Sequence, residues 1–103
     1  MSWHEVPEAQ ALGEEEAIGV VVGGQQIALC RSGGTVHAIG GVCTHQHALL
    51  SEGYVEDGCI ECPLHQGRFD LKTGAPLGPP VTEGVRVYRM RSENGKSYVE
   101  LPD

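Results

Sequence analysis

Basic residues are scarce in this chain. Seven Lys and Arg stand against 14 Asp and Glu, giving a formal net charge of −7 over 103 residues. So acidic a surface argues against nucleic acid and anionic membranes as partners and favours docking on a basic protein surface. Long apolar runs are missing too. Val20-Val21-Val22, the longest near the start, is far too short to span a bilayer. Met1-Ser2-Trp3-His4-Glu5 is not a basic start and no apolar core follows it, so no secretory signal is read and a cytoplasmic location is expected. No stretch sustains a helical period, and there is no internal repeat or low-complexity segment.

What is present is turn chemistry. Fifteen glycines and six prolines punctuate a chain of single-domain length. The start, through Trp3 and Val6 to Glu14-Glu15-Glu16, reads as a short strand and a solvated acidic turn. Ala17 to Val22, Gln26 to Arg31 and Thr35 to Ile39 read as strands separated by Gly23-Gly24 and Ser32-Gly33-Gly34, since glycine accepts positive φ cheaply. Tyr54 to Glu56 and Cys59 to Glu61 flank Asp57-Gly58 as a hairpin. Arg68 to Asp70 makes a short strand, Lys72-Thr73-Gly74 a turn and Ala75 to Pro80 a loop. Val85 to Met90 and Ser97 to Leu101 form a closing hairpin around Glu93-Asn94-Gly95. The expectation is a single all-β domain, 1–103, with a base of residues 1–40 and 81–103 and an inserted lobe of residues 41–80. Pro79-Pro80 lacks two backbone donors and suits a loop laid beside that lobe.

Two short boxes carry the chemistry. Cys43-Thr44-His45 is followed after sixteen residues by Cys62-Pro63-Leu64-His65. Each offers one thiolate and one imidazole between turn-forming residues, so each can be a loop tip. Two sulfur and two imidazole donors suit Zn²⁺ or an iron–sulfur cluster. Zinc fits the spacing poorly, because its usual pairs are Cys-x₂₋₄-Cys and His-x₃₋₅-His. Structural disulfides are disfavoured in a cytoplasmic chain. A metal bridging two loops would also help so small a chain to fold.

Gly41-Val42-Cys43-Thr44-His45, Leu50-Ser51-Glu52-Gly53 and Cys62-Pro63-Leu64-His65-Gln66-Gly67-Arg68-Phe69-Asp70 resemble the Rieske-type ferredoxin components of bacterial aromatic-ring-hydroxylating dioxygenases, the naphthalene dioxygenase type among them. The similarity runs on through Thr73-Gly74 and Pro80-Val81-Thr82. The resemblance implies a Rieske fold: an antiparallel β-sandwich base with a cluster-binding lobe of two loops. It implies one [2Fe–2S] cluster per chain, with Cys43 and Cys62 on one iron and His45 and His65 on the other. It implies a carrier and not a catalyst, a monomer in transient complexes. The carrier takes single electrons from an NAD(P)H-fed flavoprotein reductase and delivers them to a terminal oxygenase. The alternatives are a Rieske-like small subunit of another oxidoreductase, of the nitrite reductase type, and a structural zinc module.

Departures within the wider group matter. High-potential respiratory members carry an extra, disulfide-bonded cysteine in each box, where this chain has Ala48 and Leu64. They also place Ser and Tyr hydroxyls near the cluster, where this chain has Gly67 and Phe69. Donors to the cluster sulfur favour the reduced state, so their absence predicts a potential near the bottom of the Rieske range, roughly −150 mV. Cys30 and Cys59 read as packed apolar residues, and Cys59-x-x-Cys62 lacks the βαβ context of a redox motif. His37 reads as a strand residue without a ligand role, and His47 as an exposed loop residue. Gln46, His47, Ala48, Leu64, Gln66 and Pro80 would form a weakly charged rim suited to brief docking.

Overall fold

Four two-residue turns set the architecture. In the computed structural model, which describes residues 2–44, 48–64, 66–78 and 83–102, Gly23-Gly24, Gly33-Gly34, Asp57-Gly58 and Asn94-Gly95 all have positive φ at both positions, from 52° at Asp57 to 80° at Gly34. That geometry matches the twist of the flanking strands, so each turn closes an antiparallel hairpin. Among the described residues the ten strands are β1 (Ser2–Glu5), β2 (Ala17–Val22), β3 (Gln25–Ser32), β4 (Thr35–Gly40), β5 (Tyr54–Glu56), β6 (Cys59–Glu61), β7 (Arg68–Asp70), β8 (Val87–Tyr88), β9 (Met90–Glu93) and β10 (Lys96–Leu101). They form three antiparallel sheets, ordered β2-β3-β4-β8, β1-β10-β9 and β5-β6-β7. The fold is all-β, and among the described residues no helix is long and apolar enough to cross a membrane.

The four-stranded sheet lies in the middle and is buried on both faces. Ile27 and Leu29 of β3 pack with Ala38, Tyr88, Val99 and Leu101 against the β1-β10-β9 sheet. The alternate residues Ala28 and Cys30 pack with Ile39, Leu50, Ile60, Phe69 and Leu71 against the small sheet. Period-2 alternation therefore sends one side of the strand into each core. Fully burying side chains of this size contributes about 1.5–3 kcal/mol each. The same second core contains Cys43 and Cys62.

Four expectations are corrected. Val85 to Met90 is not one strand: Val87 and Tyr88 pair with β4, whereas Met90 pairs with Val99 of β10. The chain changes sheets at Arg89, whose carbonyl accepts the Glu100 N–H at 2.9 Å. Tyr88 and Met90 both pack on the core shared with β10, so the alternation runs through the crossing unmarked. The start also holds a 3₁₀ turn, Pro7–Ala11, opened by a proline that needs no donor there, and a second 3₁₀ turn spans Leu50–Glu52.

The acidic turn is not merely solvated. Glu14 accepts the N–H groups of Gly33 and Gly34 at 2.6 and 2.9 Å, which pulls its carboxyl below the usual range. Glu16 accepts the Gly13 N–H. Ala75 to Gly78 is in part an added edge: Pro76 bridges Phe69, and the Leu77 N–H donates to Arg68. The reading of Pro79-Pro80 lies outside the described residues.

Candidate metal centre

Each box is the tip of a loop, and the two loops close alike. The Cys43 N–H donates to the Ala48 carbonyl at 2.9 Å, and the Cys62 N–H donates to the Gly67 carbonyl at 2.6 Å. In both cases the bond spans five residues and fixes the cysteine at the root of the turn. Loop 43–48 springs from the central sheet. Gly41 donates to Gln26, Leu50 donates back to Gly41, and Val42 bridges Leu49. The Thr44 hydroxyl donates to the Glu83 carbonyl at 2.7 Å, tying this loop to the far segment of the chain. Loop 62–67 is instead the turn between β6 and β7, where Glu61 pairs with Arg68. Gln66 takes φ 59° to complete it.

The two thiols meet. Cys43 and Cys62 are buried at 4% and 0% exposure in one core cluster, close enough for each to act on the other's ionisation. Burial pushes the Cys62 thiol up, the Leu64 N–H opposes that rise, and the neighbouring Cys43 adds to it. Two thiolates so close in an apolar core need a cation between them, since an isolated buried charge is far too costly. A backbone N–H already aimed at the Cys62 sulfur is what a sulfur-held metal group would use. The described residues therefore fit a thiolate-held iron or zinc.

His45 and His65 lie outside the described residues, as do Gln46, His47 and Pro80 of the expected rim. Among the described residues no three His, Cys, Asp or Glu side chains gather to hold a metal. Leu64 and Gln66 are exposed, and Ala48 is partly buried. Val42 and Leu77 are also exposed, at 38% and 47%, and widen the apolar border beyond the residues read from sequence. Val42 stands next to Cys43 in the first box, whereas Leu77 comes beside the second loop through its bond to Arg68, which no local motif reveals.

Cys30 is fully buried with its thiol pushed up to about 12 by desolvation, as an inert core residue should be. Cys59 departs from expectation: it is half-buried, and its sulfur reaches the Asp57 carbonyl at 3.6 Å instead of entering the core. Its three-residue strand sits next to a tight turn, which leaves one side open. His37, half-buried on β4, is held below the ordinary imidazole range chiefly by desolvation, with Lys72 adding to this and Asp70 opposing it.

Comparison with known proteins agrees with this site. The Rieske [2Fe–2S] domain matches residues 2–89. The chain belongs to the Rieske [2Fe–2S] family. It is 48% identical over 99 residues to the ferredoxin subunit of anthranilate 1,2-dioxygenase from Burkholderia cepacia, covering 96% of this chain and 92% of that one. It is 40% identical over 101 residues to the ferredoxin component of the naphthalene 1,2-dioxygenase system of Pseudomonas putida, covering 98% and 97%. The fold superposes with a TM-score of 0.87 and 35% identity on a chain from a complex of reduced oxygenase and oxidized ferredoxin in carbazole 1,9a-dioxygenase, covering 94% of this chain and 91% of that one. Within its family this is a ferredoxin-type chain, and the resemblance read from the two boxes holds along nearly its whole length.

Proposed function

We propose that this chain carries single electrons to the terminal oxygenase of an aromatic-ring dioxygenase system, receiving them from a flavoprotein reductase fed by NAD(P)H. In this reading Cys43, His45, Cys62 and His65 hold the cluster, and residues 41–80 form the lobe that presents it from a base of residues 1–40 and 81–103. The meeting of the two buried thiols at the roots of matching loops carries the assignment. The ferredoxin components among its relatives support the electron-carrier role. The solved oxygenase–ferredoxin complex supports the choice of acceptor. A cytoplasmic location and a monomer in brief complexes belong to the same proposal.

When bound, the cluster supplies a centre that gains and loses one electron. The chain supplies the rest. Leu50, Ile60, Phe69 and Leu71 keep water from the thiolate side. Val42, Leu64 and Leu77 offer a small apolar border where a partner can seat and leave quickly.

The test is reconstitution. Purified chain should be coloured, and when reduced it should give the EPR signal of a mixed-ligand [2Fe–2S] centre. It should also restore electron flow between reductase and oxygenase at catalytic amounts. A colourless zinc-loaded protein would sink the cluster assignment. Stable co-purification with a large catalytic subunit would sink the carrier role.

A further inference from the structure

Three peptide groups on the central sheet point away from every other strand. The Gly23-Gly24 turn makes Val22 and Gln25 a hydrogen-bonded pair. At the other end of the ladder the Arg31 N–H donates to the Glu16 carbonyl at 3.0 Å. Alternation between these ends turns the N–H and C=O groups of Ile18 and Val20 toward β3, and those of Ala17, Gly19 and Val21 outward. β2 is the end strand of its sheet, and among the described residues no strand or isolated bridge pairs with that edge.

Edges of this kind are ordinarily blunted by Lys, Pro or an inward charge. Ala17–Val22 reads Ala-Ile-Gly-Val-Val-Val and has none of these. Val21 is 67% exposed. Beside the start of this edge lies a groove of about 410 Å³, lined by the apolar Leu12, Ala17 and Ile18, by Glu8, Glu15 and Glu16, and by Ser51 and Gly53 of the second 3₁₀ segment. No described residue of loops 43–48 or 62–67 lines it.

We propose that the β2 edge and its acidic groove form a second docking surface, which takes an extended basic segment of a partner protein as an antiparallel fifth strand. The three outward peptide groups supply the ladder bonds; Val21 meets the apolar side chains of the segment on one face, and its Lys or Arg residues lie on the other face, beside Ile18. The Glu8, Glu15 and Glu16 carboxylates select Lys or Arg at the end of the segment that lies in the groove. A second copy of this chain is disfavoured as occupant, because it brings its own −7 charge to an edge that is already acidic at one end.

The test uses the cluster-loaded protein and a synthetic peptide of alternating Lys and Val, with a Glu–Val peptide as control. The Lys–Val peptide should bind, weaken with added salt, and slow hydrogen exchange at Ala17, Gly19 and Val21, whereas the Glu–Val peptide should not bind. Val21→Pro removes an outward N–H without touching a bond to β3. It should weaken binding about tenfold, the scale of one lost interfacial hydrogen bond. Glu15→Lys should weaken it several-fold at low salt, and this variant decides the matter if Val21→Pro fails to fold. The proposal is overturned if the three amides gain no protection, or if a correctly folded Val21→Pro and Glu15→Lys both bind like the parent. A dimer seen by sedimentation and abolished at the same edge would also overturn it, since the occupant would then be a second copy.

Discussion

The two cysteine-bearing loops close alike but are rooted in different parts of the fold. Both close with a bond from the cysteine N–H to a carbonyl five residues on. Loop 43–48, however, hangs from the central sheet through Gly41, Val42 and Leu50, and Thr44 fastens it to Glu83. Loop 62–67 depends on two three-residue strands, and the ion pairs of Arg68 with Glu56 and Glu61, at 3.8 Å, are exposed and contribute little. One cysteine is thus delivered by the central sheet and the other by a small hairpin that would not be stable alone. The difference teaches that a group held between them would act as a crosslink, fastening the weaker unit to the stronger.

Removing either thiolate should break the comparison most completely. Cys43→Ser and Cys62→Ser should each abolish the visible spectrum and the reduced-state EPR signal. In both, hydrogen exchange should speed up far more in residues 59–70 than in 35–44, because only the hairpin loses its main anchor. Equal loss of protection in the two segments would mean that the loops share one support.

Gly53 is the next most sensitive point. It joins the second 3₁₀ turn to β5, and a Cβ there would overlap the Glu61 carbonyl at the root of the other loop. Backbone cannot yield as a side-chain end can, so Gly53→Ala should cost about 3 kcal/mol in denaturant unfolding. Gly95→Ala makes the contrast. Its Cβ would meet open space, and only the φ of 76° is strained, so about 1–2 kcal/mol is expected.

The Thr44 bond is the handle on the first loop alone. Thr44→Val removes a side-chain hydrogen bond to Glu83 and should cost about 1 kcal/mol. Urea titration of the cluster-loaded protein measures this. Gln66→Gly is the matched change in the second loop. It relieves φ 59° but adds chain entropy, so its net effect should fall below about 1 kcal/mol.

Much of this arrangement was legible in the sequence because it is written in local chemistry. Glycine pairs and Asp57-Gly58 can scarcely serve as anything but tight turns, and the strands between them followed. Cys43 and Cys62 stood out through their spacing to His45 and His65 before any fold was known, and the structure buries both in one core. What escaped depended on partners far along the chain. Glu14 caps a turn about twenty residues away, a bond that three adjacent glutamates do not announce. The break at Arg89 reflects which of two sheets each residue joins. Leu77 reaches the second loop through a pairing with Arg68, which no neighbouring residue announces.

Acid titration should give the smallest effect and probe the hairpin side again. The Asp70 carboxylate accepts the N–H groups of Lys72 at 2.8 Å and Thr73 at 3.0 Å, and these two bonds hold its carboxyl below the ordinary 3.8. A carboxyl depressed in the folded state stabilises the fold above its unfolded value. That contribution is lost as the pH falls through the lower, folded value. Asp70 is exposed to solvent on the turn, so screening keeps the gain small. Asp70→Asn should therefore lower the melting temperature slightly at neutral pH and converge with the parent protein below the ordinary carboxylate range. A gap between the two curves that persists at low pH would show that the side chain acts through packing at the base of loop 62–67 and not through its charge.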